Sequence, residues 1–463
     1  MVCPIPCGPY VFRRGGNVTD ILGLRADSKA NPDRLMSEGA RRLRCESRME
    51  HVMNPRLRQL TAPVAVLAQQ GLAQQQVVLL LCCVMHAIHD GYTSAMYLLL
   101  PLIANDLQLS YTQVGLLKTL ISGGQSLFQL PGGMIAERIG ERRMLALGLA
   151  TLSGAFLLLS PAWSFPTVAT LCLLIGVGAS LQHPLSSSLV SRAYEVQGRR
   201  TAMGTYNFAG DVGKVAFPAL LSGMILVVSW RGSVELLGAF GLAAALVVWM
   251  GGKSREDMAH ASTDTGMQTQ KSRGWGILDR KRFGGLVAVG MLDDSARAAF
   301  LTFVPFLLAE KGASPEQMGL LFTLVFAGGA CGKFVCGPLA ERLGAVRMVV
   351  VTELLTGLAI LALLPLPLTA SLVLLPVLGV FLNGTSSVLY ATVADLVAPE
   401  ARARGYGLFY MLYQGSGMVA PVLYGWLSDS AGLAWAMVLL GFLTMGAAPL
   451  AVLMRERKVA IAA

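Results

Sequence analysis

Three ionisable side chains, His86, His89 and Asp90, interrupt the apolar run that begins near Val77. Spacings of three and four put them on one face of a helix. Imidazole titrates near neutral pH, and a carboxyl beside it can exchange a proton with it, so the group reads as a proton carrier. Asp293 and Asp294 interrupt a second apolar run, with Arg297 one turn on, and Asp211 and Lys214 stand three apart in a third. His86, His89, Asp90, Asp211, Asp293 and Asp294 are the expected proton-coupling residues. Lys214 and Arg297 are cations able to grip an anionic group. His183, Asn207, Asn383, Tyr390, Tyr410 and Gln414 are polar side chains in apolar surroundings and complete the expected substrate contacts. Three blander readings stand beside these. His183 precedes Pro184 and could only bond a freed carbonyl. Asp211 and Lys214 could simply neutralise each other. Lys118 and Lys333 are expected to sit near a surface and snorkel.

The elements that position these residues follow from composition. Of 463 residues, 54% are hydrophobic and 14% charged, and the mean hydropathy is +0.58. That leaves too little charge to cover a soluble surface. Apolar runs of membrane-crossing length recur along most of the chain. Twelve helical spans are expected, beginning near Val77, Thr112, Met144, Pro166, Arg200, Arg231, Phe283, Pro315, Met348, Ala370, Arg404 and Leu433. A charge at bilayer depth costs about 2.5–3.5 kcal/mol even on lenient scales, which is why each one above calls for a role. The fold class is all-α integral membrane, with two six-helix halves at 77–252 and 283–455, a linker at 253–282 and a short tail at 456–463. Residues 1–76 form an arginine-crowded N-terminal stretch without a spanning run, expected to be a disordered cytosolic tail, and a true start at Met49 or Met53 would shorten it.

A long self-similarity ties the halves together. Gly133-Met-Ile-Ala-Glu-Arg-Ile-Gly140 returns as Gly337-Pro-Leu-Ala-Glu-Arg-Leu-Gly344, an offset of 204, and Gln113, Gly115 and Thr119 return as Gln317, Gly319 and Thr323 at the same offset. Such repetition marks a duplicated unit. The offset sets His89 and Asp90 against Asp293 and Asp294, so both halves place carboxylates at one depth in their first helix.

Lysine and arginine gather in alternate loops, from Arg138, Arg142 and Arg143 to the tail Arg455, Arg457 and Lys458, while the other loops hold little beyond Arg231 and Lys311. The basic loops and both termini are therefore expected in the cytoplasm. The net charge of +10 sits between apolar runs rather than on one face, so nucleic acid is not an expected partner. The eight cysteines are scattered and form neither a disulfide framework nor a metal set. No nucleotide loop or nucleophile–base motif is present. The expected partners are the lipid bilayer, a small-molecule substrate and protons, with the protein a monomer and no cofactor or metal.

The turn Gly133-x-x-x-Glu137-Arg138-x-Gly140-x-Arg142-Arg143 between spans two and three, with its echo through Glu341 and Arg342, resembles the signature loop of the major facilitator superfamily. The resemblance covers roughly Val77 to Lys458. Glu137 stands where Asp is usual, and Glu141 where a base is frequent. Within the superfamily, His86-Ala-Ile-His-Asp90, Leu109 to Leu116 and Gln182 to Ser188 look most like the fosmidomycin-resistance type of efflux carrier. The resemblance implies a rocking two-half carrier whose first helices line a central cavity. It also implies that Gly133, Glu137, Arg138, Gly140, Arg143, Glu341 and Arg342 act as a conformational latch. Acids such as Glu195, Asp395 or Glu400 would pair with the latch arginines. The expectation is proton-coupled efflux of a small organic compound from the bacterial inner membrane, with an organic-anion importer or facilitator as the alternative. A membrane enzyme or sensor ranks last.

Overall fold

The computed structural model describes residues 55–194, 198–251, 276–398 and 402–455. They are almost wholly helical. The first half holds α1 (Pro55–Leu107), α2 (Tyr111–Ile139), α3 (Glu141–Leu159), α4 (Phe165–Ala179), α5 (Gln182–Ala193), α6 (Arg199–Ile225) and α7 (Trp230–Met250). The second holds α8 (Arg280–Glu310), α9 (Pro315–Leu343), α10 (Ala345–Leu363), α11 (Leu368–Leu396), α12 (Arg402–Ala431), α13 (Leu433–Met445) and α14 (Ala447–Ala451). α4 with α5 makes one membrane-length span, and α13 and α14 with the short turn after them make another.

Helix ends follow local chemistry. Ser110 and Gln113 form a reciprocal capping box at the start of α2, and Ser314 and Gln317 repeat it at the start of α9. Gly140 and Gly344 close those helices with φ of 93° and 89°, a region that favours glycine. The duplication read from sequence is thus present in backbone geometry at both ends of the unit. α4 stops at Ala179 because Pro184, in the first turn of α5, has no N–H for the Ser180 carbonyl.

Nine of the described helical spans are long and apolar enough to cross a membrane. Large apolar side chains such as Leu80, Leu130, Val227, Phe334, Trp426 and Trp435 are exposed, as expected of a lipid-facing surface. α2, α8 and α12 fall outside the nine. They are the helices that carry Lys118, the Asp293–Arg297 cluster and Gln414.

Residues Gln74–Ala463 form one compact unit, apart from Met1–Ala73. α1 starts at Pro55, so the end of the expected tail, 55–76, is helix rather than disordered chain. α8 begins three residues before the expected boundary at Phe283, after a bridge between Ile277 and Val397. The rest of the linker, 252–275, and the tail 456–463 lie outside the described residues, as do 1–54.

Candidate functional site

Contact between the halves runs along α2 with α12 and α6 with α9. Thr119 Oγ1 donates to the Met418 carbonyl at 2.7 Å, and Thr323 Oγ1 to the Val215 carbonyl at 3.4 Å. At the end remote from Gly140 the contact tightens. Asp429, closing α12, accepts the backbone N–H groups of Tyr111 and Thr112 at 2.9 and 2.8 Å, and the Thr112 hydroxyl as well. A carboxylate there meets the positive end of α2. Tyr111 also donates its phenol to Glu310 of α8 at 3.2 Å. The structure is closed at this end.

At the arginine-rich end, Glu141, Arg142 and Arg143 make contacts within their own half. Arg192 and Ser188 bond Glu141, Arg142 donates to the Val248 carbonyl, and Arg143 lies 5.7 Å from the Trp249 ring. Arg138, Glu341, Arg342 and Asp395 are exposed. The acid engaged here is Glu141, and its partner Arg192 is in the same half. Glu195 and Glu400 lie outside the described residues, and so does the side chain of Glu137.

The first-half site centres on Asp90, buried at mid-helix in α1. Lys214 Nζ of α6 lies 2.9 Å from its Oδ2, His86 Nε2 is 3.3 Å from the same oxygen, and His89 Nδ1 and His183 Nε2 are 3.2 and 3.5 Å from Oδ1. The His86 ring stacks on Tyr206 at 4.1 Å, and its Nδ1 lies 2.8 Å from the Tyr206 carbonyl. Gly210 permits this: a Cβ there would sit 2.6 Å from the His86 ring and 2.9 Å from Asp90 Oδ2. His86, Asp90 and His183 offer atoms within 4.8 Å of one another, a spacing that could ligate a metal. The Lys214 ammonium already stands where a cation would balance Asp90. His183 therefore belongs to the cluster and does more than bond a freed carbonyl.

Two expectations about lysine are corrected. Asp211 does not simply neutralise Lys214. Its Oδ1 is 3.6 Å from Lys214 Nζ but 2.6 Å from Lys333 Nζ, which comes from α9 in the other half. Lys333 thus pairs across the halves rather than snorkelling. Lys118 faces inward too. Its Nζ donates to Ser122 Oγ at 2.8 Å and lies 5.2 Å from the Tyr97 ring. An amine at this depth gains more from polar partners than from a stretched route to a headgroup.

The second-half site is arranged differently. Arg297 bonds Asp293 and the Tyr413 hydroxyl, Tyr413 also donates to Asp293 at 2.9 Å, and Asp294 is 4.0 Å from Arg297. Tyr390 packs on Tyr410 and Tyr413 with ring centroids 5.1 and 5.7 Å apart. A cavity of about 170 Å³ separates the halves, lined by Tyr97, Lys118, Gln125, Asp294, Arg297 and Gln414, among others. Asn207 is exposed and Asn383 is half-buried against Gly329; neither lines this cavity. Sequence reading missed Lys118, Tyr97 and Gln125 as lining residues. It also missed Glu353, a buried acid of α10. The signal for Glu353 was present, since it is an acid inside an apolar span.

The sequence profile of the Major Facilitator Superfamily matches residues 81–292 and again 286–460. The chain belongs to the major facilitator superfamily. It is 27% identical over 361 residues to a hexuronate transporter of Bacillus subtilis, covering 73% of this chain and 84% of that one. It is 27% identical over 372 residues to the fosmidomycin resistance protein of Escherichia coli, covering 78% and 88%. The fold is similar to that of a bacterial homologue of the human lysosomal transporter Spinster, solved inward-facing and occupied, with TM-score 0.69, 18% identity, and 82% and 96% coverage. The protein is therefore a multi-pass membrane transporter rather than an enzyme, with the helical two-half architecture expected from its repeat.

Proposed function

We propose that this transporter carries a small organic anion together with protons by alternating access. One observation carries the reading: in each half a cation is held by a carboxylate of the first helix, Lys214 by Asp90 and Arg297 by Asp293. An anionic substrate and the carboxylate compete for the same cation. Protonating the carboxyl releases the cation to the substrate, so proton binding and anion binding favour each other. Such linkage drives symport, the alternative weighed in sequence, over efflux by antiport, which needs proton and substrate to exclude each other. The hexuronate named for one relative is a small organic carboxylate, the class of anion this arrangement would hold.

With the arginine-rich end in the cytoplasm of a bacterial inner membrane, the closed end faces outward and this is the inward-facing state. The signature-loop residues then make their contacts across the halves in the opposite state. Asp90 with His86, His89 and His183 carries the proton in the first half. Lys118, Arg297 and Gln414 meet the substrate, while Asp211 with Lys333 couples the site to the contact between halves.

The experiment is uptake of labelled glucuronate and galacturonate by proteoliposomes under an imposed pH gradient. Accumulation driven by an acid exterior, with alkalinisation of the medium, supports the reading. Uptake indifferent to the gradient, or proton release on substrate entry, overturns it. A panel of hydroxycinnamate and sulfonate anions extends the search if hexuronates are not carried.

A further inference from the structure

Glu353 is 1% exposed and stands in the middle of α10, where no step described above uses it. Its Oε2 is buried without a hydrogen-bond partner. The charged groups facing its carboxyl are Asp293 and Arg297 of α8, and Thr385 of α11 is its polar neighbour. α13 and α14, spanning Leu433–Met445 and Ala447–Ala451, carry no titratable residue. Arg297 is committed to Asp293 and Tyr413, with Asp294 close by. If both buried acids here were ionised, one guanidinium would face two carboxylates out of water, and Glu353 would confront Asp293 with no proton between them. A buried charge without a partner is strongly disfavoured, whereas one shared proton satisfies both oxygens.

We propose that Glu353 is a proton-binding site of the second half, a neutral carboxylic acid in this state that donates to Asp293. Its proton decides the allegiance of Arg297. While it rests on Glu353, Asp293 is anionic and holds Arg297. When it passes to Asp293, the Asp293–Arg297 pair is neutralised on the acid side, and Arg297 turns to an anion in the cavity it lines. Glu353, then ionised, takes up a second proton from solution, so the cluster gains one proton for each anion that Arg297 holds. The proton moves from one carboxyl oxygen to the other, and no bond beyond O–H is made or broken. The step rests on the anion-symport reading for its use, but the presence of the proton does not.

Infrared difference spectroscopy on the full-length protein in lipid nanodiscs, without substrate, tests it. At neutral pH the wild type is expected to show a carbonyl band of a protonated carboxylic acid, shifted down in D2O. Glu353→Gln is expected to lose that band. Asp293→Asn is expected to lose it as well, because Glu353 then ionises against Arg297. The second variant also serves if Glu353→Gln fails to fold. A spectrum unchanged in either folded variant overturns the assignment, as does a band lost in Asp293→Asn but retained in Glu353→Gln, which would put the proton on Asp293. Failure of glucuronate transport with the band behaving as expected would sink only the transport reading.

Discussion

Lys333 Nζ lies 2.6 Å from Asp211 Oδ1, and the two belong to opposite halves of the chain. The same oxygen is 3.6 Å from Lys214, which in turn holds Asp90. Asp90, Lys214, Asp211 and Lys333 thus form an alternating chain of charge from the proton site of one half to a helix of the other. A change at Asp90 alters the claim of Lys214 on Asp211, and with it the bond across the halves.

Lys333→Met should therefore loosen the contact between α6 and α9 on the Gly344 side of mid-helix. Asp211 would turn wholly to Lys214 and weaken its hold on Asp90. The pair is partly exposed, so the loss is on the order of 1 kcal/mol rather than the larger value of a dry pair. That shifts the balance of states several-fold. Distances between spin labels at the two ends of the molecule, compared with wild type, would show the shift. Unchanged distances would make the pair incidental.

Asp90→Asn imitates a permanently protonated acid. Substrate exchange should survive, because Lys214 keeps only its longer contact to Asp211 and can meet an anion, while accumulation driven by the pH gradient should vanish. Counterflow and gradient-driven uptake measured on one preparation separate the two. Loss of both would make Asp90 a substrate ligand or a folding residue, and full gradient-driven uptake would move coupling to the Asp293 cluster.

Gly213→Ala and Gly210→Ala should differ. An added Cβ at Gly213 would overlap the Ala87 backbone carbonyl, which no side-chain rotation relieves. At Gly210 it meets the ends of His86 and Asp90. Overpacking of the first kind should lower stability by about 1–3 kcal/mol. The second should spare stability and disturb proton coupling. Thermal unfolding in detergent beside gradient-driven uptake distinguishes them, and equal unfolding temperatures for the two variants would contradict the contrast.

Asp429 seals the closed end, and its charge sets the pH range of the seal. Burial alone would raise its carboxyl, but bonds from the Thr112 hydroxyl and N–H and from the Tyr111 N–H outweigh it and hold the group below the usual carboxylate range. A depressed folded-state value means the stabilisation is complete above the unfolded value of about 3.9 and fades as pH falls below it. The seal is therefore constant across the physiological range. Asp429→Ala, which removes a helix cap, should weaken it by about 0.5–2 kcal/mol. Access of an impermeant thiol reagent, added outside, to a cysteine placed at the cavity-lining Ser126 should rise in that variant at pH 7. If access rises only in acid, the bonding is not what closes this end.

The sequence alone determined the spans, the duplication and the identity of most charged groups. Each rests on a local regularity: run length, the fixed offset from Gly133 to Gly337, or an ion in an apolar run. Asp90, His86 and His89 share a face because helical spacing requires it, whatever packs against them. Which cation serves which acid was decided only by tertiary structure. Asp211 and Lys214 are neighbours in sequence, yet Lys333 takes Asp211 and Lys214 turns to Asp90, because α9 and α1 bring stronger partners to either side of α6. Lys118 looked like a snorkelling lysine until the close approach of α2 and α12 placed it beside a cavity. Glu353 was legible as an ion but not as a partner, since its neighbour Asp293 lies on a helix sixty residues earlier. Long-range pairing depends on how helices cross, and no local spacing encodes that.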